Sequence, residues 1–175
     1  MAEWAAAGSA AAFSLLATGM KIVDLLSPER IKTDADVASK KRALEQLSEM
    51  LSEAADGLPA PLIFNKLIGR ERLGSTGLGH GVGLPHARIE GSDQALVALL
   101  RLSRGIDFDA FDKQPVDLLF ALVVPEHFTD EHLQILADLA ELFSDKALCE
   151  RLRRAADPAE VYRILLDWQG QARTA

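Results

Sequence analysis

The sequence lacks the features that mark several common classes of protein. A single cysteine, Cys149, excludes an intrachain disulfide and favours a reducing compartment, the cytoplasm. The net charge of −7 argues against a general nucleic-acid partner, because such proteins present a basic face. No apolar run approaches the roughly eighteen residues that cross a bilayer, so membrane insertion is not expected. These absences favour a cytoplasmic globular protein in which Cys149 is a buried structural thiol.

The length of 175 residues fits one domain of ordinary size. Residues 1–19 are rich in alanine, glycine and serine and differ in this from everything that follows. We therefore expect a leader or added segment at residues 1–19 outside the fold. The domain itself is expected over residues 20–168, with a C-terminal tail at residues 169–175.

Hydrophobic spacing predicts two helices in the first half of the domain. The first is amphipathic, with Ser39 as N-cap and Gly57 as its stop. Its expected buried stripe is Ala43, Leu44, Leu47, Met50, Leu51 and Ala54. The second helix begins at the prolines of "LPAPLIFNKLIGRE", which suit a first turn, and extends to about Gly69.

Three more helices are predicted in the last third of the chain. The first of them lies in "TDEHLQILADLAELFSD", with the side chain of Thr129 as its cap. Its expected buried stripe is Leu133, Leu136, Ala137, Ala140 and Phe143. The segment "KALCERLRRAA" forms the next helix. The last helix has Asp157 as its N-cap and Pro158 at its first position, and Glu160 completes a capping box.

The strand signals are two apolar runs, "QALVALLRL" and "VDLLFALVVP", each of strand length and bounded by turn residues. Strands so uniformly apolar are typical of the middle of a layered sheet that is covered on both faces. "IKTDADVAS" is expected to be extended, and Val82 and Leu84 fit a further short strand. The sequence therefore predicts a mixed α/β (α+β) fold, a single domain with a small mixed β-sheet flanked by helices on both faces.

A glycine-rich stretch, "GSTGLGHGVGLPHAR" at residues 74–88, is the strongest candidate for a functional site. Its glycines alternate strictly from Gly77 to Gly83, which excludes the GxGxxG pattern of dinucleotide sites. The chain contains no GxxxxGK[ST] and no HExxH, and Ser75 is not part of a GxSxG turn. No metal site and no cofactor are therefore expected.

The surviving interpretation is a histidine set on a glycine-rich backbone that can hold phosphate oxygens through its N–H groups. The histidine is His86, whose neutral imidazole is a good nucleophile and follows the rigid Pro85. The expected phosphate-binding backbone is Gly74, Ser75, Thr76, Gly77, Gly81 and Gly83. Arg70 could supply a cationic donor, and His132 could add another from the first turn of a helix.

Plainer interpretations of the same residues stay open. His86 could be an ordinary loop residue, Arg70 a solvated charge at a helix end and His132 part of a helix start. His80 could be a core or a surface residue, or an accessory group of the pocket. His127 is expected to be exposed in a loop.

A resemblance to a known protein family favours the functional interpretation of these residues. The segments "SKKRALEQLSEM", "RERLGSTGLGHGVGLPHAR", "IDFDAFDKQPVDLLFALVVP" and "HLQILADLAELFSDK" occur in the order in which they stand in the nitrogen-type enzyme IIA proteins of the bacterial phosphotransferase system (EIIA type-2, mannitol/fructose-like family). The chain resembles that family from about Met20 to about Trp168. The resemblance implies that His86 accepts a phosphoryl group from an HPr-like carrier protein, with Arg70 and His132 stabilising the phosphate.

The resemblance also implies a regulatory role, in which the phosphorylation state decides the binding of target proteins in nitrogen, potassium or other metabolic regulation. Two rivals remain: the IIA component of a fructose- or mannitol-type sugar importer, and an unphosphorylated binding module with the same fold. A metal-dependent hydrolase is a third, more distant one. For the leading hypothesis we expect one ring nitrogen of His86 to face solvent and the other to be held as N–H by an acceptor. His86 and His132 are expected to lie close together.

Overall fold

The computed structural model describes residues 22–174, so the predicted leader at residues 1–19 lies outside the described residues. The chain divides into two compact units. The first is the continuous segment Leu26–Glu126, and the second combines, among the described residues, 22–25 with 127–174. No helix within the described part of the chain is long and apolar enough to cross a membrane.

The first unit contains a six-stranded sheet and two long helices. A single 3-10 turn, Pro28–Arg30, precedes the first strand. The strands are β1 (Ile31–Ala35), β2 (Gly77–Gly79), β3 (Val82–Gly83), β4 (His86–Ile89), β5 (Leu96–Ile106) and β6 (Val116–Pro125), and the helices are α2 (Lys40–Ala54) and α3 (Ala60–Glu71). Both predicted apolar strands, the extended segment near residue 31 and both helices are confirmed.

The sheet is mixed, as predicted, with the order β1-β5-β6-β3-β2. β5 and β6 are antiparallel, whereas β1 is parallel to β5. β3 and β4 both run parallel to β6, so the chain from Val82 to Ile89 follows one side of that strand. Between them the amide of Leu122 donates to the Pro85 carbonyl at 2.9 Å. This pairing places His86 opposite Leu122, at the start of β4.

Helix α2 forms and packs as its sequence predicts. The Ser39 hydroxyl caps it by accepting from the Arg42 amide at 3.2 Å. The predicted stripe is confirmed at four positions that are fully buried, Ala43, Leu44, Leu47 and Leu51. Met50 is half-buried, and the prediction is wrong at Ala54, which is exposed. Each buried leucine contributes about 1.5–3 kcal/mol of hydrophobic free energy. With side chains of α3 and one face of the sheet, they form the core of this unit.

The second unit is helical. Its elements are α1 (Ile22–Leu25), α4 (Asp130–Ser144), α5 (Lys146–Arg154) and α6 (Pro158–Thr174). The predicted capping box of α6 is confirmed in part: Asp157 accepts from the Glu160 amide at 2.9 Å, but the Glu160 carboxylate accepts from Ala156 N rather than from the N-cap amide. Asp145 accepts from Leu148 N at 3.1 Å and from the Trp168 indole at 3.0 Å, which ties α5 to α6.

Two predictions for α4 are wrong. Thr129 stands at the N-cap position, but its φ of −104° and ψ of −67° are helical and its side chain makes no capping bond. The predicted buried stripe is also mostly wrong: only Phe143 of it is buried, Leu133 is 66% exposed, and Ile135 and Leu139 are buried on the other side of the helix. Helix α4 carries apolar residues on both faces, so spacing alone does not select between them, and the face that is buried also contains a carboxylate, Asp138.

Candidate functional site

The glycine-rich stretch folds into a tight hairpin followed by a strand. β2 and β3 are antiparallel, with Gly79 opposite Val82, so only His80 and Gly81 form the turn. Both turn residues have positive φ, +55° and +81°, which is the requirement of a type I′ hairpin turn. His80 is therefore an exposed turn residue, and its amide donates to Asp112 Oδ2 at 2.9 Å.

Several glycines of this stretch serve the packing of the sheet. A Cβ on Gly83 would lie 2.7 Å from Leu119 Cδ2, so only glycine fits there without movement. The Gly81 carbonyl accepts from the amides of Asp117 and Leu118 at 3.0 and 3.1 Å. Part of the backbone freedom that we assigned to phosphate binding is thus used to join the hairpin to β6.

His86 is half-buried at the start of β4, and its Nδ1 lies 2.8 Å from the Leu84 carbonyl oxygen. Because a carbonyl can only accept, Nδ1 must carry the proton, and in the neutral ring Nε2 carries the lone pair. The expectation that an acceptor holds one ring nitrogen as N–H is confirmed. That the other nitrogen faces solvent stays a prediction.

The pKa of His86 is lowered from its ordinary value, chiefly because burial disfavours the charged ring. The bond to Leu84 opposes this shift, the positive charge of Arg70 adds to it, and the negative charge of Glu71 opposes it. An imidazole with a lowered pKa is neutral at pH 7, which is the form that can act as a nucleophile.

Arg70 lies in the last turn of α3, as its sequence position predicts. Its Nη1 donates to the Gly74 carbonyl at 2.8 Å, which places the guanidinium against the start of the glycine-rich stretch. Together with its effect on the pKa of His86, this contact brings Arg70 and His86 into one charged neighbourhood. A guanidinium there is suited to bind phosphate oxygens.

Glu71 and Lys40 belong to this neighbourhood and were missed in the sequence. Glu71 is 6% exposed, and its Oε2 lies 2.8 Å from Lys40 Nζ. It accepts from both the amide and the hydroxyl of Thr76. A signal existed: Ile63, Leu67 and Glu71 are spaced by four residues, so the carboxylate continues the buried stripe of α3.

The remaining histidines lie in the second unit. His132 is half-buried in the first turn of α4, as predicted, and its closeness to His86 stays a prediction. His127 is exposed, as expected, with its ring edge-on to Phe128. Cys149 is buried with its Sγ 3.5 Å from the Phe143 carbonyl, which confirms a structural thiol. Within residues 22–174, no group of three or more histidine, cysteine or acidic side chains could hold a metal ion.

Comparisons with known proteins identify the family to which the chain belongs. The family model described as "Phosphoenolpyruvate-dependent sugar phosphotransferase system, EIIA 2" matches residues 24–168. A nitrogen regulatory protein of Pseudomonas aeruginosa is 39% identical over 150 residues, covering 86% of this chain and 97% of that protein. A nitrogen regulatory protein of Escherichia coli strain K12 is 40% identical over 154 residues, covering 87% and 94%.

A solved structure agrees as well. The crystal structure of nitrogen regulatory protein IIA-Ntr from Neisseria meningitidis has a TM-score of 0.78 and 42% identity, and the match covers 82% of this chain and 98% of that one. The mixed α/β fold and the resemblance noted in the sequence are thereby confirmed. The chain belongs to the EIIA 2 family of the phosphoenolpyruvate-dependent sugar phosphotransferase system.

Proposed function

We propose that this protein is a phosphoryl carrier that accepts a phosphoryl group on Nε2 of His86 from an HPr-like protein. The observation that carries the proposal is the 2.8 Å contact between His86 Nδ1 and the Leu84 carbonyl. It selects the tautomer with the lone pair on Nε2, and the lowered pKa keeps that ring neutral. A positioned, neutral imidazole is the group that nucleophilic phosphoryl transfer requires.

In the transfer step, the Nε2 lone pair of His86 forms the new bond to phosphorus. The bond between phosphorus and the carrier's donor atom breaks, and its electron pair leaves with the carrier. The Nδ1 proton stays on His86 throughout, held by the Leu84 carbonyl, so the step needs no separate base. The positive charge that develops on the ring is balanced by the phosphoryl oxygens.

Arg70 stabilises the transferred group in this proposal. Its guanidinium lies against the Gly74 carbonyl and offers further N–H donors to the phosphate oxygens. His132 acts as a second donor from the first turn of α4, where the helix N-terminus favours an anion. The amides of Gly74, Thr76 and Gly77, which the sequence offered as phosphate donors, donate instead to Glu71 and to Ser75 Oγ, so the proposal does not assign them to the phosphate.

The biological role that we propose is regulation by phosphorylation state. A phosphoryl group adds about −1.5 to −2 charge and three acceptor oxygens at His86, so a target docked there would gain or lose contacts. The match covers almost the whole length of two relatives named nitrogen regulatory proteins, which favours a role in nitrogen regulation. Targets in potassium or other metabolic regulation belong to the same proposal. The alternative is service to a fructose- or mannitol-type importer, since the family description refers to a sugar phosphotransferase system.

A reconstituted phosphorylation assay tests the proposal. The protein is incubated with phosphoenolpyruvate, enzyme I and an HPr-like carrier, and the modified residue is mapped. We expect one phosphoryl group on His86, lost in acid and kept in base, and no modification of His86→Ala. The exposed His127 provides a matched control, because His127→Ala should be modified at the parental rate. Phosphate on His86→Ala would overturn the proposal.

Onward transfer separates the two biological roles. If the phosphorylated protein passes its phosphoryl group to a sugar permease component at a rate that supports transport, the importer role is favoured. If instead it binds a soluble target differently in its two phosphorylation states, regulation is favoured.

A further inference from the structure

A buried ion pair lies behind the glycine-rich stretch, and the transfer step described above does not use it. Glu71 exposes 2% of its side chain and Lys40 exposes 17%, and their charged atoms are 2.8 Å apart. Buried ion pairs are weak contributors to stability, because the desolvation of both charges offsets their attraction. We therefore look for the role of this ion pair in the groups that Glu71 and Lys40 hold in place.

The carboxylate of Glu71 holds Thr76 by both of its oxygens. Oε2 accepts from the Thr76 amide at 3.3 Å, and Oε1 accepts from the Thr76 hydroxyl. Thr76 is itself 6% exposed, so these bonds form away from water. The end of α3 and the middle of the glycine-rich stretch are thereby joined through one side chain.

Lys40 in turn fixes Glu71 against two other segments. It is the first residue of α2, and its Nζ donates to the Phe108 carbonyl at 3.2 Å while lying 4.4 Å from the centroid of the Phe108 ring. The same carbonyl accepts from the Ser75 hydroxyl at 2.8 Å. The carboxylate of Glu71 is thus anchored by α2 and by the segment after β5.

The bonds continue from Thr76 to the imidazole of His86. The Thr76 carbonyl accepts from the Leu84 amide at 3.0 Å, and the Leu84 carbonyl accepts from His86 Nδ1 at 2.8 Å. The two bonds use opposite ends of Leu84, so a displacement of Thr76 moves the acceptor that sets the tautomer of His86.

We propose that Glu71, held by Lys40, is a positioning residue that fixes the tautomer and orientation of His86 through Thr76 and Leu84. The effect on phosphorylation rests on the function proposed above, but the effect on the ring does not. Glu71 also acts on His86 directly, because its negative charge opposes the lowering of the His86 pKa by Arg70.

Variants at both ends of the Glu71–Thr76 contact test this inference. Thr76→Val keeps the shape and the backbone but removes the hydroxyl donor, and Thr76→Ser restores that donor. Glu71→Gln keeps an acceptor and removes the charge. The control is Asp34→Asn, which removes a negative charge 3.4 Å from the buried Arg101 in the same unit. All variants are compared at a temperature at which each is folded.

The first readout is the ¹⁵N spectrum of the His86 imidazole. We expect the parent, Thr76→Ser and Asp34→Asn to show the proton on Nδ1, and Thr76→Val and Glu71→Gln to show a mixture of tautomers. Glu71→Gln should also lower the pKa of His86, since it removes a negative charge that raises it. The second readout is the phosphorylation rate, which should fall by up to about a hundredfold in Thr76→Val.

The outcomes separate positioning from simple structural support. If Thr76→Val and Glu71→Gln lower the melting temperature but leave the tautomer and the rate as in Asp34→Asn, the inference is overturned. If the parent takes no phosphate at His86, the proposed function fails, and the tautomer alone then tests the positioning role of Glu71. A mixture of tautomers in Thr76→Val supports that role, and a proton that stays on Nδ1 refutes it.

Discussion

The buried carboxylate of α4 makes a quantitative prediction about stability. Asp138 is 4% exposed, and its pKa is raised from 3.8 to about 6, first because burial disfavours the charged form. A hydrogen bond from Gln134 Nε2 at 3.2 Å opposes the shift, and the charge of Glu141 adds to it. Above pH 6 the folded protein must therefore hold a carboxylate that it accommodates poorly.

The sign of the effect follows from proton binding. Between pH 4 and pH 6 the folded state holds a proton on Asp138 that the unfolded state has lost, so the free energy of unfolding falls as pH rises. The difference between 3.8 and 6 corresponds to about 3 kcal/mol of lost stability once both states are ionised. This figure is the largest gain in the free energy of unfolding that a neutral residue at position 138 can give.

We therefore expect Asp138→Asn to raise the free energy of unfolding by about 1–3 kcal/mol at pH 8, because the amide keeps an acceptor for Gln134 without the charge. At pH 4 the difference from the parent should vanish or reverse. Urea unfolding followed by circular dichroism from pH 4 to pH 8 measures both values. The exposed Asp167 on α6 supplies the control for the substitution itself, as Asp167→Asn on the surface should change the free energy of unfolding by less than about 0.5 kcal/mol. A difference that is equal at pH 4 and pH 8, or a variant that is less stable at pH 8, would refute the reasoning.

Other substitutions test the fold and the site. Gly69→Ala should raise stability by about 1 kcal/mol, because Gly69 lies on the exposed face of α3 and a Cβ there meets nothing within 4 Å. Gly83→Ala should instead cost about 1–3 kcal/mol, because its Cβ would collide with Leu119. Urea unfolding must show changes of opposite sign in the free energy of unfolding for these two variants. His80→Asn should stabilise the hairpin by up to about 1 kcal/mol, since asparagine tolerates positive φ better; an unchanged melting temperature would count against the turn assignment. Arg70→Ala should slow phosphorylation and leave the melting temperature within about 2 °C, and an unaltered rate would remove Arg70 from the site.

The elements that could be predicted from the sequence are those that a local pattern of residues determines. Helix α2 has apolar residues on one face only, so its position, its cap at Ser39 and its buried side follow from spacing. Strands β5 and β6 are apolar runs of strand length and could be recognised without knowing their partners. His86 stood out because glycine and proline surround it in the sequence.

Features that depend on tertiary packing could not be predicted in this way. Helix α4 is apolar on both faces, and the face that is buried is the one that carries Asp138. The ion pair between Lys40 and Glu71 joins α2 to α3. The sequence around either residue gives no sign of this contact, because the two lie far apart along the chain. The turn role of His80 became visible only once the register of β2 against β3 was known, because it is this register that requires a positive φ.

The measurement that tests the central claim most directly is the identification of the phosphorylated nitrogen. A long-range ¹H–¹⁵N correlation spectrum of the ¹⁵N-labelled protein, recorded after reaction with phosphoenolpyruvate, enzyme I and an HPr-like carrier, distinguishes the two nitrogens of His86. We predict a phosphoryl group on Nε2, with the proton retained on Nδ1 against the Leu84 carbonyl. A phosphoryl group on Nδ1, or on any residue other than His86, would contradict the account.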